Sequence, residues 1–148
     1  FTEVSRDIEF APGYANARRE AIAAVFATEP DSEMTSGAAR GDVAQFAICS
    51  WIDYWASRSA AGDRVGSNAA TEGLRALLAS SAVRDLDPHL SLHGERGDDG
   101  TWQPTVFGGL PEIIDAARSG SRTAVLEATD ASNLCGPTEV PNLTQDGR

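Results

Sequence analysis

Apolar residues recur at helical spacing along much of the chain, and the strongest repeat predicts a helix over residues 42–59. Its apolar positions cover about half of a helical wheel, which is wider than the stripe of a helix on a protein surface. We therefore expect this helix to be central, with other helices packed around it. The apolar positions are Val43, Phe46, Ala47, Ile48, Trp51, Ile52, Tyr54 and Trp55.

Weaker repeats on either side predict two further helices. One begins near Pro12, because proline is tolerated in a first helical turn, and it ends before Pro30. Residues 31–41 are rich in turn-forming types and are expected to be an exposed connection. A third helix follows the central one, and either Ser67 or Asn68 can cap its first turn.

The second half of the chain changes pattern. Apolar and polar residues alternate near residue 90, and a turn rich in Gly and Asp follows, so residues 88–107 are expected to form a β-hairpin or a long ordered loop. Pro111 can open a short helix. Ser121 can cap a last helix that runs toward Ala131.

These elements fit one domain, since a chain of 148 residues with 41% hydrophobic side chains can bury one core. We expect an extended N-terminal arm over residues 1–10, a helical domain over 11–136, and a flexible tail over 137–148 that has little to bury. The predicted fold class is mainly α: a single-domain helical bundle of four to five helices, with a small β-hairpin or long loop and one disulfide.

The charged residues of the chain argue against several classes of function. All 12 cationic side chains are arginines, so the chain has no lysine for Schiff-base chemistry or for a phosphate-binding loop. The net charge of −10 repels nucleic-acid backbones and anionic lipid, so we expect neither nucleic acid nor a membrane surface as partner. No apolar run is long enough to span a bilayer, and the first residues lack the basic and apolar regions of a signal peptide. A removed signal peptide or anchor is compatible with this.

Cys49 and Cys135 are the only cysteines, and an even count without a Cys-x-x-Cys motif favours one disulfide. Gln45, Cys49 and Asp53 lie four residues apart on the side of the central helix away from its main aromatic face, where another segment can reach them. A disulfide would place the protein outside the cytoplasm. The alternative is a pair of buried thiols in a cytosolic domain.

Candidate catalytic groups are sparse. Cys49 could act as a nucleophile with His89 or His93 as base and Asp53 as the third member, but no cysteine-hydrolase signature surrounds it. His89 and His93, with nearby carboxylates, could also ligate a divalent cation, although residues four apart on a strand are about 13 Å apart and too far for one ion. We predict no catalytic residue, metal or cofactor.

Aromatic residues are the other candidates for a site, because they could line a groove for an apolar or sugar-like ligand. Packing in the core would explain them equally well. The candidate ligand-binding residues are Tyr14, Trp51, Tyr54, Trp55 and Trp102.

The segment 45–55, QFAICSWIDYW, together with 131–136, ASNLCG, resembles small uncharacterised exported helical domains of high-GC Gram-positive bacteria. In those domains an aromatic helix carries one cysteine, and a second cysteine follows an asparagine near the end. Here Leu134 stands between Asn133 and Cys135. The resemblance spans about residues 40–136 and implies an extracytoplasmic, secreted or membrane-tethered domain without an established activity.

From these features we expect a non-enzymatic extracytoplasmic binding or sensory module, whose ligand is an unknown protein or small molecule. The alternative is a small hydrolase or metal-dependent enzyme that uses the acidic loop around His89 and His93.

Overall fold

A computed structural model of the chain describes residues 8–28, 36–86 and 107–144. These ranges are mainly helical, contain no β-strand and hold one disulfide, so the predicted α class and the Cys49–Cys135 pairing are confirmed. No helix within them has the length and apolar character to cross a membrane. The helices are α1 (Ala15–Thr28), α2 (Ser36–Ala60), α3 (Arg64–Ala79), α4 (Ser81–Arg84), α5 (Leu110–Ser119), α6 (Arg122–Ser132) and α7 (Pro141–Thr144).

The long helix α2 is at the centre, as its apolar pattern predicted, and contacts α1, α3, α4 and α7. Ile48, Ile52 and Trp55 on this helix are at most 2% exposed. The expected connection over 31–41 is wrong for residues 36–41, which form the first turns of α2. Gly41 has a low helix propensity, but Leu86 packs so closely against it that a larger residue would not fit. A Cβ at position 41 would lie 2.1 Å from Leu86 Cδ1.

A tight turn joins α2 to α3. Gly62 has a φ of 73°, and Asp63 is the N-cap of α3, with its Oδ1 accepting a hydrogen bond of 2.9 Å from the Gly66 amide. The cap predicted at Ser67 or Asn68 is therefore wrong, because the short turn already provides an acceptor one residue after Gly62. The two helices meet closely at Gly73, where a Cβ would lie 2.4 Å from Trp51 Cε2.

The helices α5 and α6 follow the prediction. Pro111 lies in the first turn of α5, and the Ser121 hydroxyl accepts a hydrogen bond of 3.1 Å from the Ala124 amide at the start of α6. Ile113 and Ile114 are buried on α5, which contacts α3 and α6.

The chain after Gly136 also joins the core. Val140 and Leu143 are each 1% exposed, so the expectation that this segment has little to bury is wrong. The Arg122 guanidinium donates hydrogen bonds to the carbonyl oxygens of Asn142 (2.9 Å) and Leu143 (2.6 Å). These bonds and the buried side chains hold α7 against α2 and α6.

The predicted hairpin or loop over 88–107 lies outside the described residues except for Phe107, which is fully buried. The predicted arm over 1–10 is described only from Ile8, which is 2% exposed. The Trp51 indole N–H donates a hydrogen bond of 2.9 Å to the Glu9 carbonyl. This part of the predicted arm is therefore packed against the central helix.

Candidate functional site

A buried carboxylate on α2 joins the two ends of the described chain. Asp53 is 3% exposed, and the Tyr14 hydroxyl donates a hydrogen bond to its Oδ2. Asn142 donates from its backbone N–H to Oδ1 at 2.7 Å and from its side-chain Nδ2 to Oδ2 at 2.9 Å. Both carboxylate oxygens are thus engaged by neutral donors, which offsets the cost of burying the charge.

The polar row that contains Asp53 makes two further long-range connections of α2. Gln45 Nε2 donates to the Leu134 carbonyl at 2.8 Å, and Cys49 is bonded to Cys135 with a Cα–Cα distance of 5.7 Å. The spacing of Gln45, Cys49 and Asp53 predicted that a second segment could reach this face, and the contacts confirm it.

The Tyr14 hydroxyl keeps its proton. Burial raises the pKa of Tyr14 above its ordinary value, and the hydrogen bond and negative charge of Asp53 raise it further. Its O–H is therefore a donor at every physiological pH. The hydrogen bond from this hydroxyl holds the Asp53 carboxylate in place.

A cavity of about 440 Å³ lies beside this cluster, between α1, α2 and the segment before α7. Both helices present residues at the i, i+3, i+4 and i+7 positions of one face to it. The lining residues are Tyr14, Ala17, Glu20, Ala21, Ala24, Phe46, Cys49, Ser50, Asp53, Thr138, Glu139 and Pro141.

The cavity combines an apolar wall with a few polar groups. The apolar side consists of the three alanines of α1, the half of the disulfide at Cys49, and Phe46, which is 36% exposed. The polar side carries the Tyr14–Asp53 pair together with Glu20 and Glu139. Small-molecule sites commonly have this composition, and their volumes run from about 300 to 1,000 Å³.

The structure separates the aromatic residues predicted to bind a ligand. Tyr14 lines the cavity, whereas Trp51 and Trp55 are in the core, at 8% and 2% exposed. Tyr54 packs edge to face on Trp51 with ring centroids 6.1 Å apart and lies 5.8 Å from the Arg58 guanidinium carbon. Trp102 lies outside the described residues. Of the four predicted ligand-binding aromatics within the described ranges, Tyr14 alone lines the cavity.

Sequence reasoning missed most of the cavity. The helical repeat assigns Phe46 to the core, and no pattern in the sequence singles out Glu139. The detectable signal is the row of small and polar residues on α1, where alanines at 17, 21 and 24 and Glu20 share one face.

The catalytic grouping around Cys49 is not formed, because Cys49 is disulfide-bonded and has no thiol. His89 and His93 lie outside the described residues. In the part of the chain that the structure describes, no three His, Cys, Asp or Glu side chains come together as a metal site would require.

Comparison of the chain with protein-family models, with curated proteins and with solved structures finds no match. The geometry of the cavity is therefore the basis for a functional proposal.

Proposed function

We propose that the protein is a non-enzymatic binding or sensory module that acts outside the cytoplasm and takes a small molecule into the cavity between α1, α2 and the segment before α7. The observation that carries this proposal is the cavity itself, which has an apolar wall and a polar side. The polar side includes the buried Asp53 carboxylate, and both of its oxygens accept hydrogen bonds. Such a site can orient a ligand without reacting with it.

The disulfide supports a location outside the cytoplasm, because such bonds persist in oxidising surroundings. It also supports the site, since Cys135 ties the C-terminal segment to α2 and this segment supplies one wall of the cavity. A preformed wall reduces the entropy lost when a ligand binds.

A fragment screen by ¹H–¹⁵N NMR on the oxidised protein tests this proposal. We expect hits to shift amides at Ala17, Ala21 and Thr138, and we expect Ala24→Trp to block them, because Ala24 is an exposed lining residue that a large side chain can extend across. Ala69→Trp, at an exposed position on α3 away from the cavity, is the matched control. Hits that are absent, or that Ala24→Trp leaves unchanged, contradict the proposal.

The alternative function, a small hydrolase or metal-dependent enzyme using His89 and His93, stays a hypothesis because both residues lie outside the described ranges. If it holds, His89→Ala and His93→Ala abolish metal content or activity. Unchanged metal content, stability and activity in both variants contradict it.

A further inference from the structure

The ionisable groups that line the cavity have one sign, apart from the neutral phenol of Tyr14. Glu20 from α1, Asp53 from α2 and Glu139 from the segment before α7 contribute carboxylates from three sides. Among the described residues that line the cavity, none is basic. The net charge of −10 for the whole chain adds a long-range field of the same sign.

The three carboxylates have different surroundings. Asp53 is buried and both its oxygens accept hydrogen bonds, so it acts on a ligand through its field. Glu139 is half-buried and accepts a hydrogen bond of 3.2 Å from the Gly136 amide at one oxygen, Oε1. Glu20 is exposed and also lines the cavity. Glu20 and Glu139 are therefore the groups that can meet a ligand directly.

The three carboxylates do not form a group of metal ligands around one centre. A divalent metal ion needs several oxygen ligands around one centre, and within the described residues no three acidic, histidine or cysteine side chains converge in this way. A small organic cation does not need several ligands around one centre, and its apolar part can contact the apolar side of the cavity. The exposed ring of Phe46 provides a face for either the apolar part or the charge of such a molecule.

We infer that the ligand is a small organic cation, an amine or quaternary ammonium compound with a compact apolar group, whose charge lies near Glu20 and Glu139 and whose apolar group rests on Phe46 and the alanines of α1. This inference rests on the proposed function, since it names the class of ligand for the same cavity. It excludes organic anions, which the three carboxylates would repel.

Three probes of similar shape test whether the cavity prefers a positively charged ligand. They are phenethylamine, 2-phenylethanol and phenylacetate, each titrated into the full oxidised chain and followed by calorimetry and NMR. We expect phenethylamine to bind about 25-fold more tightly than 2-phenylethanol, because one carboxylate about 4 Å from an ammonium in water gives about fivefold and the factors of two carboxylates multiply. Phenylacetate should not bind. The preference for phenethylamine should fall as the ionic strength is raised from about 20 to about 500 mM, because salt screens exposed charges.

The double variant Glu20→Gln, Glu139→Gln should bind phenethylamine and 2-phenylethanol within about twofold of each other. The amide introduced by Glu139→Gln retains an acceptor for the Gly136 N–H. If the double variant does not fold, the single variant Glu20→Gln, at an exposed position, should show a reduced preference for phenethylamine. Glu127→Gln on α6, exposed and away from the cavity, is the matched control and should keep the preference.

The outcomes distinguish the proposed binding function from the inference that its ligand is a cation. Equal or tighter binding of 2-phenylethanol or phenylacetate in the cavity overturns the inference and leaves the binding function standing. Failure of all three probes, together with failure of the fragment screen at the cavity, overturns both. A preference for phenethylamine that the double variant leaves undiminished overturns the inference, because groups other than Glu20 and Glu139 would then determine it.

Discussion

The two sides of α2 are stabilised in different ways. On one side, Ile48, Ile52 and Trp55 are buried in the core, where the helix packs with α3 and α4, the elements that follow it in the chain. On the other, Asp53 and Cys49 are bonded to partners 39 to 89 residues away, at both ends of the described chain.

Apolar burial and buried hydrogen bonds differ in how strongly they depend on direction and in how well they tolerate substitutions. Apolar burial is non-directional and contributes about 1.5 to 3 kcal/mol for each large side chain, so the apolar side tolerates changes that keep its volume. A buried hydrogen bond contributes only about 1 kcal/mol net, but removal of one partner leaves the other unsatisfied at a larger cost. The polar side therefore positions the chain ends and the cavity wall, and single substitutions there should have specific effects.

Removing the disulfide with Cys49→Ala and Cys135→Ala should lower the free energy of unfolding by about 4 kcal/mol, because the bond closes a loop with a sequence separation of 86. Urea denaturation of the variant and of the wild type measures this. As a control, intact mass should show no alkylated thiol in the unreduced, denatured wild type and two after reduction. Uptake of two labels without reduction would contradict the bonded structure.

Asp53→Asn should lower the free energy of unfolding by about 2 to 3 kcal/mol, because an amide replaces one acceptor oxygen with a donor that faces Tyr14 and Asn142. Chemical denaturation gives the value. Asp130→Asn, exposed on α6, is the control and should change stability by less than about 0.5 kcal/mol. Equal effects for the two variants would mean that the carboxylate does not join the chain ends.

On the apolar side, Gly73→Ala should cost about 1 to 2 kcal/mol, because the added methyl group meets the Trp51 indole and this outweighs the better helix propensity of alanine. The substitution should cost less in a Trp51→Phe background, where the smaller ring system leaves room for the methyl group. Thermal and urea unfolding of the four proteins measure the effect. Stabilisation by Gly73→Ala in the wild-type background would show that α2 and α3 are not in close contact there.

Tyr14→Phe should cost about 1 kcal/mol at neutral pH, where the Asp53 carboxylate loses one donor. The pKa of Tyr14 is raised in the folded state, so its contribution is fully present below the ordinary value of 10.0 and is lost as the pH rises above it. The stability difference between wild type and Tyr14→Phe should therefore stay constant up to about pH 9 and shrink above about pH 10. A difference that grows at the higher pH would contradict this arrangement.

The apolar side was predictable because its signal is local. The repeat over residues 42–59 identified the central helix, and Pro111 and Ser121 identified the starts of α5 and α6, since helix periodicity and capping depend on near neighbours. The first turns of α2 were missed because Ser36, Gly37 and Gly41 are turn-forming residue types, whereas the close packing of Gly41 against Leu86 depends on a residue far along the chain.

The polar side was predictable only in part. The spacing of Gln45, Cys49 and Asp53 indicated a face that another segment could reach, and the count of cysteines identified Cys135 as one partner. Nothing local indicated that Asn142 would reach Asp53, because a hydrogen bond between residues 89 apart has no periodic signature. The burial of Val140 and Leu143 was missed for the same reason, since two apolar residues among prolines and polar residues form no repeat.

A double-mutant cycle between Tyr14→Phe and Asn142→Ala measures whether the two ends of the described chain meet at Asp53. Both side chains donate to Asp53 Oδ2, so their effects on the free energy of unfolding should be coupled by about 1 kcal/mol. A cycle between Tyr14→Phe and Val65→Ala, at a position 83% exposed, should be additive. Additivity of Tyr14 and Asn142 to within about 0.3 kcal/mol would contradict a shared carboxylate and the cavity built beside it.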